Sequence, residues 1–144
     1  MSDHGFAGLW KLVSFDSTGP DGSPLSLFGP DPIGTIMYDA QGHMAVQIMQ
    51  RARPLFAQAD WRAGTLEETK AAFDGYLAYF GRYEVNEAEG CVIHHMEGSL
   101  FPNWVGGDLK RFYVLSGNRL VLKTPPTLFG GVAGTSTLTW ERVA

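Results

Sequence analysis

The chain has 144 residues, of which 44% are hydrophobic and 18% are charged, and its formal net charge is −4. This length and composition predict a globular protein with one domain over residues 1–144 and exclude disordered and fibrous classes. The scattered Lys and Arg and the acidic balance argue against nucleic acid and membrane surfaces as partners.

The sequence shows no recognisable signal peptide for secretion. The start, "MSDHGFAGLW", has no basic segment followed by an apolar core, and no apolar run is long enough to span a bilayer. Cys91 is the only cysteine, so an internal disulfide cannot form, which fits a reducing compartment. We therefore expect a cytoplasmic location.

Apolar and polar residues alternate with a period of two along most of the chain, which predicts strands. The predicted strands, in chain order, are 8–15, 33–39, 43–50, 79–85, 91–98, 108–115, 119–124 and 134–143. Tight turns join the second strand to the third, the fourth to the fifth and the sixth to the seventh, at residues 40–42, 86–90 and 116–118. The other connections, 16–32, 51–78, 99–107 and 125–133, are long.

One helix is predicted inside the longest connection. Thr65 and Glu68 form the spacing of a capping box, and apolar residues follow at helical intervals, which predicts a helix over 66–78 in spite of Gly75. The sequence leaves open whether this helix caps the barrel mouth or packs outside.

Alternating short and long connections indicate the architecture. In an up-and-down meander, successive connections lie at opposite ends, so one end would be sealed by short turns and the other ringed by long loops. We predict an all-β fold, an eight-stranded antiparallel β-barrel, with room for one small ligand.

The first and last strands carry a family resemblance. "GLWKLVSF" contains Gly8 and Trp10 in the Gly-x-Trp pattern, and "TLTWERV" contains Arg142 near the end of the last strand. With "HHMEGSLFPNWVGG", these segments resemble the lipocalin-like domain family, small bacterial and fungal proteins with a calycin-type barrel. The resemblance implies that Gly8, Trp10 and Arg142 are structural, with Arg142 packed across Trp10 at the closed base, and that the barrel holds an internal site. We expect none of the signal peptide, disulfide and C-terminal helix of secreted lipocalins, so the resemblance does not imply transport of extracellular cargo.

The adjacent histidines His94 and His95 invite a metal-site interpretation, which the strand geometry argues against. Register through the turn 86–90 pairs Tyr83 with His94 and Arg82 with His95, and neighbouring strand residues point to opposite faces. We predict that His94 faces the interior beside Tyr83, and that His95 faces solvent beside Arg82, Glu84 and Glu97. No other residues complete a ligand spacing, so no metal is predicted.

The predicted interior has one polar corner in an apolar wall, as small-molecule sites usually do. A buried Arg111 would need an anionic or carbonyl-rich partner. The polar side comprises Tyr79, Tyr83, His94, Met96, Arg111 and Tyr113. The apolar side comprises Trp10, Leu12, Ile33, Met37, Met44, Val46, Ile48, Leu138 and Trp140. Trp104 is expected at the mouth. The predicted ligand-binding residues are those of the polar side together with Met37, Met44, Val46 and Trp104.

Three functions fit this interior. The first is binding of a small, mostly hydrophobic molecule with an acidic or carbonyl group, which Arg111 would orient while His94 and Tyr83 form hydrogen bonds. The second is a cofactor-independent isomerase or cyclase, with His94 as general acid or base, Tyr83 or Tyr113 as proton partner, and Arg111 stabilising an oxyanion. The third is a structural module with a packed barrel. None requires a cofactor, and the sequence leaves the oligomeric state open.

Overall fold

A computed structural model of the chain describes residues 4–144. Its helices are α1 (Leu66–Asp74) and a single 3-10 turn (Pro102–Trp104). Its strands are β1 (Gly8–Thr18), β2 (Pro24–Leu25), β3 (Ile33–Tyr38), β4 (His43–Met49), β5 (Tyr76–Asn86), β6 (Cys91–Ser99), β7 (Asp108–Ser116), β8 (Arg119–Lys123), β9 (Thr127–Phe129) and β10 (Val132–Arg142).

Eight of these strands close into an antiparallel barrel, which confirms the predicted fold. They follow the order β1-β3-β4-β5-β6-β7-β8-β10, and β10 pairs with β1 to close the circle. The short strands β2 and β9 lie beside β1 and β10, inside two connections that were predicted as loops. Short turns and long connections lie at opposite ends, so the barrel has a base and a mouth.

Helix α1 is shorter than the predicted 66–78. The capping box is present, with Thr65 Oγ1 accepting from the Glu68 N–H at 3.1 Å and Glu68 Oε1 accepting from the Thr65 N–H at 2.9 Å. The helix ends at Gly75 because Tyr76 and Leu77 already pair with β4. Ladder pairing in the barrel thus overrides helical propensity in this segment. No helix within residues 4–144 combines the length and apolar character needed to cross a membrane.

The base of the barrel is sealed by the packing that the resemblance implied. The Arg142 guanidinium lies 4.2 Å from the centre of the Trp10 ring, and the Trp10 indole N–H donates to the Phe6 carbonyl at 2.9 Å. Arg142 also donates to the carbonyls of Gly5, at 2.7 Å, and Ala7. Because Arg142 is half-buried, this cation–indole contact contributes about 1 kcal/mol.

One wall of the interior has the opposite phase to the prediction. Ile33 and Met37 were expected inside, yet they are 37% and 53% exposed, whereas Ile36 and Tyr38 are buried. The register of β3 on β4 pairs Ile36 with Val46 and Tyr38 with Met44, and so turns the odd-numbered residues of β3 outward. Apolar residues occupy both faces of β3, so hydrophobicity alone does not set its phase.

Candidate functional site

His94 lies at the centre of a hydrogen-bonded chain inside the barrel. Its Nε2 is 2.7 Å from the Tyr38 hydroxyl and its Nδ1 is 2.7 Å from the Tyr79 hydroxyl. All three side chains are buried, and they come from β3, β5 and β6. The inward orientation predicted for His94 is therefore confirmed by its burial.

The partner predicted for His94 was incomplete. Tyr83 does face His94 across the β5–β6 ladder, but its hydroxyl donates at 2.6 Å to the Asp39 carbonyl at the base. Tyr38 takes the place beside the imidazole, and sequence reasoning missed it because β3 was given the wrong phase. The signal that would have found it is the Tyr38–Met44 pairing across the tight turn 39–42.

The three groups of this hydrogen-bonded chain, Tyr38, His94 and Tyr79, are electrically neutral near pH 7. Burial holds the pKa of His94 well below its usual range, and the nearby Arg111 charge lowers it further. Burial raises the pKa of Tyr38 strongly. Burial also raises the pKa of Tyr79, where the Arg111 charge and its hydrogen bond partly offset the effect. The site thus keeps its protons on oxygen and on one imidazole nitrogen.

Arg111 on β7 lies across from this chain and is half-buried. Its strand partner is Val92, and the register around the turn 117–118 pairs Tyr113 with Leu122, as predicted. Its guanidinium donates a long hydrogen bond of 3.3 Å to the neighbouring carbonyl of Lys110 and also hydrogen-bonds the side chain of Tyr79. Among residues 4–144, no carboxylate forms an ion pair with it.

These groups line a small cavity of ≈ 40 Å³, here called the inner chamber. Tyr79, His94 and Arg111 form its polar side. The remaining lining is Phe15, Ile36, Val46, Ile48, Leu77, Trp104, Leu122, Thr124, Thr127, Phe129, Ser136, Leu138 and Trp140. This volume admits a few water molecules or one polar group of a ligand, but not a whole aromatic molecule.

A larger cavity of ≈ 470 Å³, the outer chamber, lies at the mouth. Its size falls in the range of about 300–1,000 Å³ that small-molecule pockets occupy. Its lining is mostly apolar: Phe28, Phe73, Asp74, Tyr76, Leu77, Ala78, Leu100, Phe101, Trp104, Thr127, Leu128, Phe129 and Gly130. Phe73 and Asp74 belong to the end of α1, so the helix contributes to the mouth.

Four residues line both chambers and form the constriction between them. They are Leu77, Trp104, Thr127 and Phe129. The Trp104 indole packs edge-on against the Tyr79 ring, with 5.9 Å between ring centres. The outer chamber therefore leads, through this constriction, towards Tyr79 and Arg111.

The other predicted ligand-binding residues are divided between the chambers, the base and the surface. Val46 lines the inner chamber and Trp104 lines both. Met44 and Met96 are buried in the core, outside the lining of either chamber, and Met37 is on the outer face. Tyr113 packs against Phe6 near the base, with 5.0 Å between ring centres, and Tyr83 lies there too.

His95 lies on the outer surface, as predicted, and bridges two carboxylates. Its Nδ1 is 2.6 Å from Asp108 Oδ1 and its Nε2 is 2.9 Å from Glu84 Oε1, and these hydrogen bonds raise the pKa of His95. The predicted neighbours were Glu84 and Glu97; Asp108 takes the second place. In the described part of the chain, no group of three or more His, Cys, Asp or Glu residues could hold a metal ion.

Comparison with known proteins agrees with this architecture. The 4'-hydroxy-3'-methoxypropiophenone carrier protein ppsC of Aspergillus oryzae is 34% identical over 107 residues, which cover 69% of this chain and 96% of the carrier. No solved structure matches the chain with comparable significance. The lipocalin-like domain family matches residues 7–143, nearly the whole sequence, and this chain therefore belongs to the lipocalin-like domain family.

Proposed function

We propose that the protein binds and carries a small, mostly hydrophobic aromatic molecule that bears an acidic hydroxyl or a carbonyl group. The observation that carries this proposal is the pairing of an apolar outer chamber of ≈ 470 Å³, through one constriction, with an inner chamber of ≈ 40 Å³ that has Tyr79, His94 and Arg111 on one side. This arrangement suits a ligand with an apolar body and one polar end.

Membership of the family and the carrier relative support small-molecule binding. The name of the relative specifies an aryl ketone with a phenolic hydroxyl and a methoxy group. A molecule of that class has a flat apolar ring for the outer chamber and oxygens at both ends. We infer a ligand of the same chemical class for this chain.

Each part of the lining has a role in this proposal. Trp104 and Phe129 at the constriction pack against the faces of the aromatic ring, and Leu77 fixes its depth. Arg111 and Tyr79 meet the polar end of the ligand. His94 positions the Tyr79 hydroxyl through the hydrogen bond at Nδ1, whereas Tyr83, Met44 and Met96 support the barrel behind it.

Titration with 4'-hydroxy-3'-methoxypropiophenone, followed by calorimetry and tryptophan fluorescence, tests the proposal. We expect saturable binding of one molecule per chain, with quenching of fluorescence because Trp104 lines both chambers. Wild-type protein that shows no saturable binding of this compound or of other 4'-hydroxyphenyl ketones would contradict the proposal.

A matched pair of variants locates the site. Leu77→Trp narrows the constriction and should abolish binding, since overpacking there leaves no route to Tyr79. Val114→Trp adds the same side chain on the outer face of β7, where Val114 is 60% exposed, and should bind like wild type. Equal affinities for the two variants would place the ligand elsewhere.

A further inference from the structure

The inner chamber has more hydrogen-bond donors than acceptors. Arg111 brings a cation without a carboxylate partner among residues 4–144, and the buried indole N–H of Trp140, another lining residue, has no acceptor in that same range. The serine and threonine hydroxyls of the lining are already engaged: Ser136 bonds Ser17 at 2.7 Å, Thr124 accepts from the Ser136 N–H at 3.0 Å, and Thr127 donates to the Pro125 carbonyl at 3.0 Å. A chamber of this kind lacks an acceptor that would come from outside the chain.

The proton inventory of the His94 chain adds one more donor. A neutral imidazole donates through one nitrogen and accepts through the other, so one tyrosine donates to His94 and the other accepts from it. Either direction leaves one tyrosine with an O–H that His94 does not use. Tyr38 is 1% exposed and packed between Phe6 and Tyr83, whereas Tyr79 lines the inner chamber.

The hydrogen bonds therefore run from Tyr38 towards the inner chamber, because this direction leaves no O–H enclosed without an acceptor. Tyr38 donates to Nε2, Nδ1–H donates to the Tyr79 oxygen, and the Tyr79 O–H is left to donate to an occupant of the chamber. The reverse direction would leave the Tyr38 proton buried without an acceptor, which costs about 1–3 kcal/mol.

We propose that the inner chamber binds its ligand as an oxyanion, the ionised form of an acidic phenol or enol, held by the Arg111 guanidinium and the Tyr79 hydroxyl. The proposal rests on the function proposed above and specifies the charge of the ligand. The Arg111 guanidinium, which is charged, and the Tyr79 hydroxyl converge on a chamber whose lining, in the described part of the chain, contains no carboxylate. They therefore stabilise the ligand anion more than the neutral ligand.

The groups that face Arg111 do not compete for its charge. Tyr38 from β3, Tyr79 from β5 and His94 from β6 are neutral near pH 7, because burial raises the pKa of both tyrosines and lowers that of the histidine. The acid in the lining of the outer chamber is Asp74 of α1, which pairs with Lys70 at 2.7 Å. The Arg111 charge is thus left for the ligand.

The absorbance of 4'-hydroxy-3'-methoxypropiophenone reports its ionisation, because a phenolate conjugated to a ketone absorbs at longer wavelength than the phenol. Titration of the bound compound from pH 5 to pH 10 should give a pKa about one unit below that of the free compound. A shift of one unit corresponds to tenfold tighter binding of the phenolate than of the phenol. The affinity should therefore rise as pH increases towards the pKa of the free ligand.

Three comparisons distinguish the outcomes. Arg111→Met should lose the downward shift, and Arg111→Gln provides the same test if the first variant is unstable; Lys110→Met, which removes a cation on the outer face, should retain it. At a pH above the pKa of the free ligand, the 4'-O-methyl ether, which cannot ionise, should bind about tenfold more weakly. A bound pKa equal to or above the free value, or equal affinity for the ether, would overturn the oxyanion assignment and leave the carrier proposal standing. Failure of all these compounds to bind would instead refute the carrier proposal.

Discussion

Removing the two tyrosine hydroxyls that flank His94, one at a time, should have different effects on stability and on binding. Tyr38→Phe and Tyr79→Phe each delete one oxygen that lies 2.7 Å from an imidazole nitrogen. Each therefore leaves a buried polar atom of His94 without its partner, at a cost of about 1–3 kcal/mol in the free energy of unfolding.

The position of each hydroxyl decides where its cost falls within that range. Tyr79 lines the inner chamber, whose ≈ 40 Å³ can admit a water molecule to replace the lost oxygen, so its variant should lie near the lower end. Tyr38 is enclosed by Phe6 and Tyr83, with 5.2 and 4.7 Å between ring centres, so its variant should lie near the upper end.

Urea denaturation measures these free energies, and binding of 4'-hydroxy-3'-methoxypropiophenone provides the second readout. Tyr38→Phe should be the less stable variant yet bind almost like wild type, whereas Tyr79→Phe should be closer to wild type in stability and bind several-fold more weakly. A larger loss of stability for Tyr79→Phe, or losses below about 0.5 kcal/mol for both, would refute the hydrogen-bonded chain as the source of the energy.

Two further predictions concern the base and the outer surface. Gly8→Ala should lower the melting temperature in thermal unfolding, because φ is +143° at Gly8 and an added Cβ would lie 2.7 Å from the Ala144 carbonyl oxygen; an unchanged melting temperature would contradict this close approach. His95→Gln should lower the free energy of unfolding at pH 6 but not at pH 9. Because the pKa of His95 is raised in the folded state, the protonated side chain stabilises the fold below the unfolded-state pKa, and this stabilisation is lost as the pH rises through the folded-state pKa. With 35% of the side chain exposed, the difference in urea denaturation should stay below about 1 kcal/mol, and equal losses at both pH values would contradict the assignment.

The sequence predicted the barrel and much of its register because tight turns fix which residues face each other. The turn after Asn86 pairs Val85 with Val92 and Tyr83 with His94, and the structure has both pairs. The charged residues concentrated on one face of β5 to β7 indicated that this face is exposed to solvent and that the other faces the interior. The inward position of Arg111 followed from that phase.

The site was predicted less completely, for two physical reasons. β3 has Ile33, Ile36, Met37 and Tyr38 on its two faces, so alternation does not tell inside from outside, and Tyr38 was lost from the site. The partition into two chambers depends on how far side chains from distant strands reach across the interior. Neither period nor spacing in the chain contains that information.

The two chambers are enclosed by different parts of the fold. As a result, the rates at which a ligand enters and leaves can change while its affinity does not. The inner chamber is built on the hydrogen-bonded ladder of the barrel, whereas the outer chamber is enclosed by the end of α1, the 3-10 turn and the three-residue strand β9, where Leu128 is 72% exposed. Trp104 and Phe129 in these segments line both chambers, so changing them would also change the affinity. A change in the mouth segments that spares the lining residues alters the barrier that a ligand crosses both on entry and on exit. Association and dissociation then speed up or slow down together while the equilibrium constant stays nearly fixed, so the time for which a molecule is retained can change without a change in which molecule is chosen.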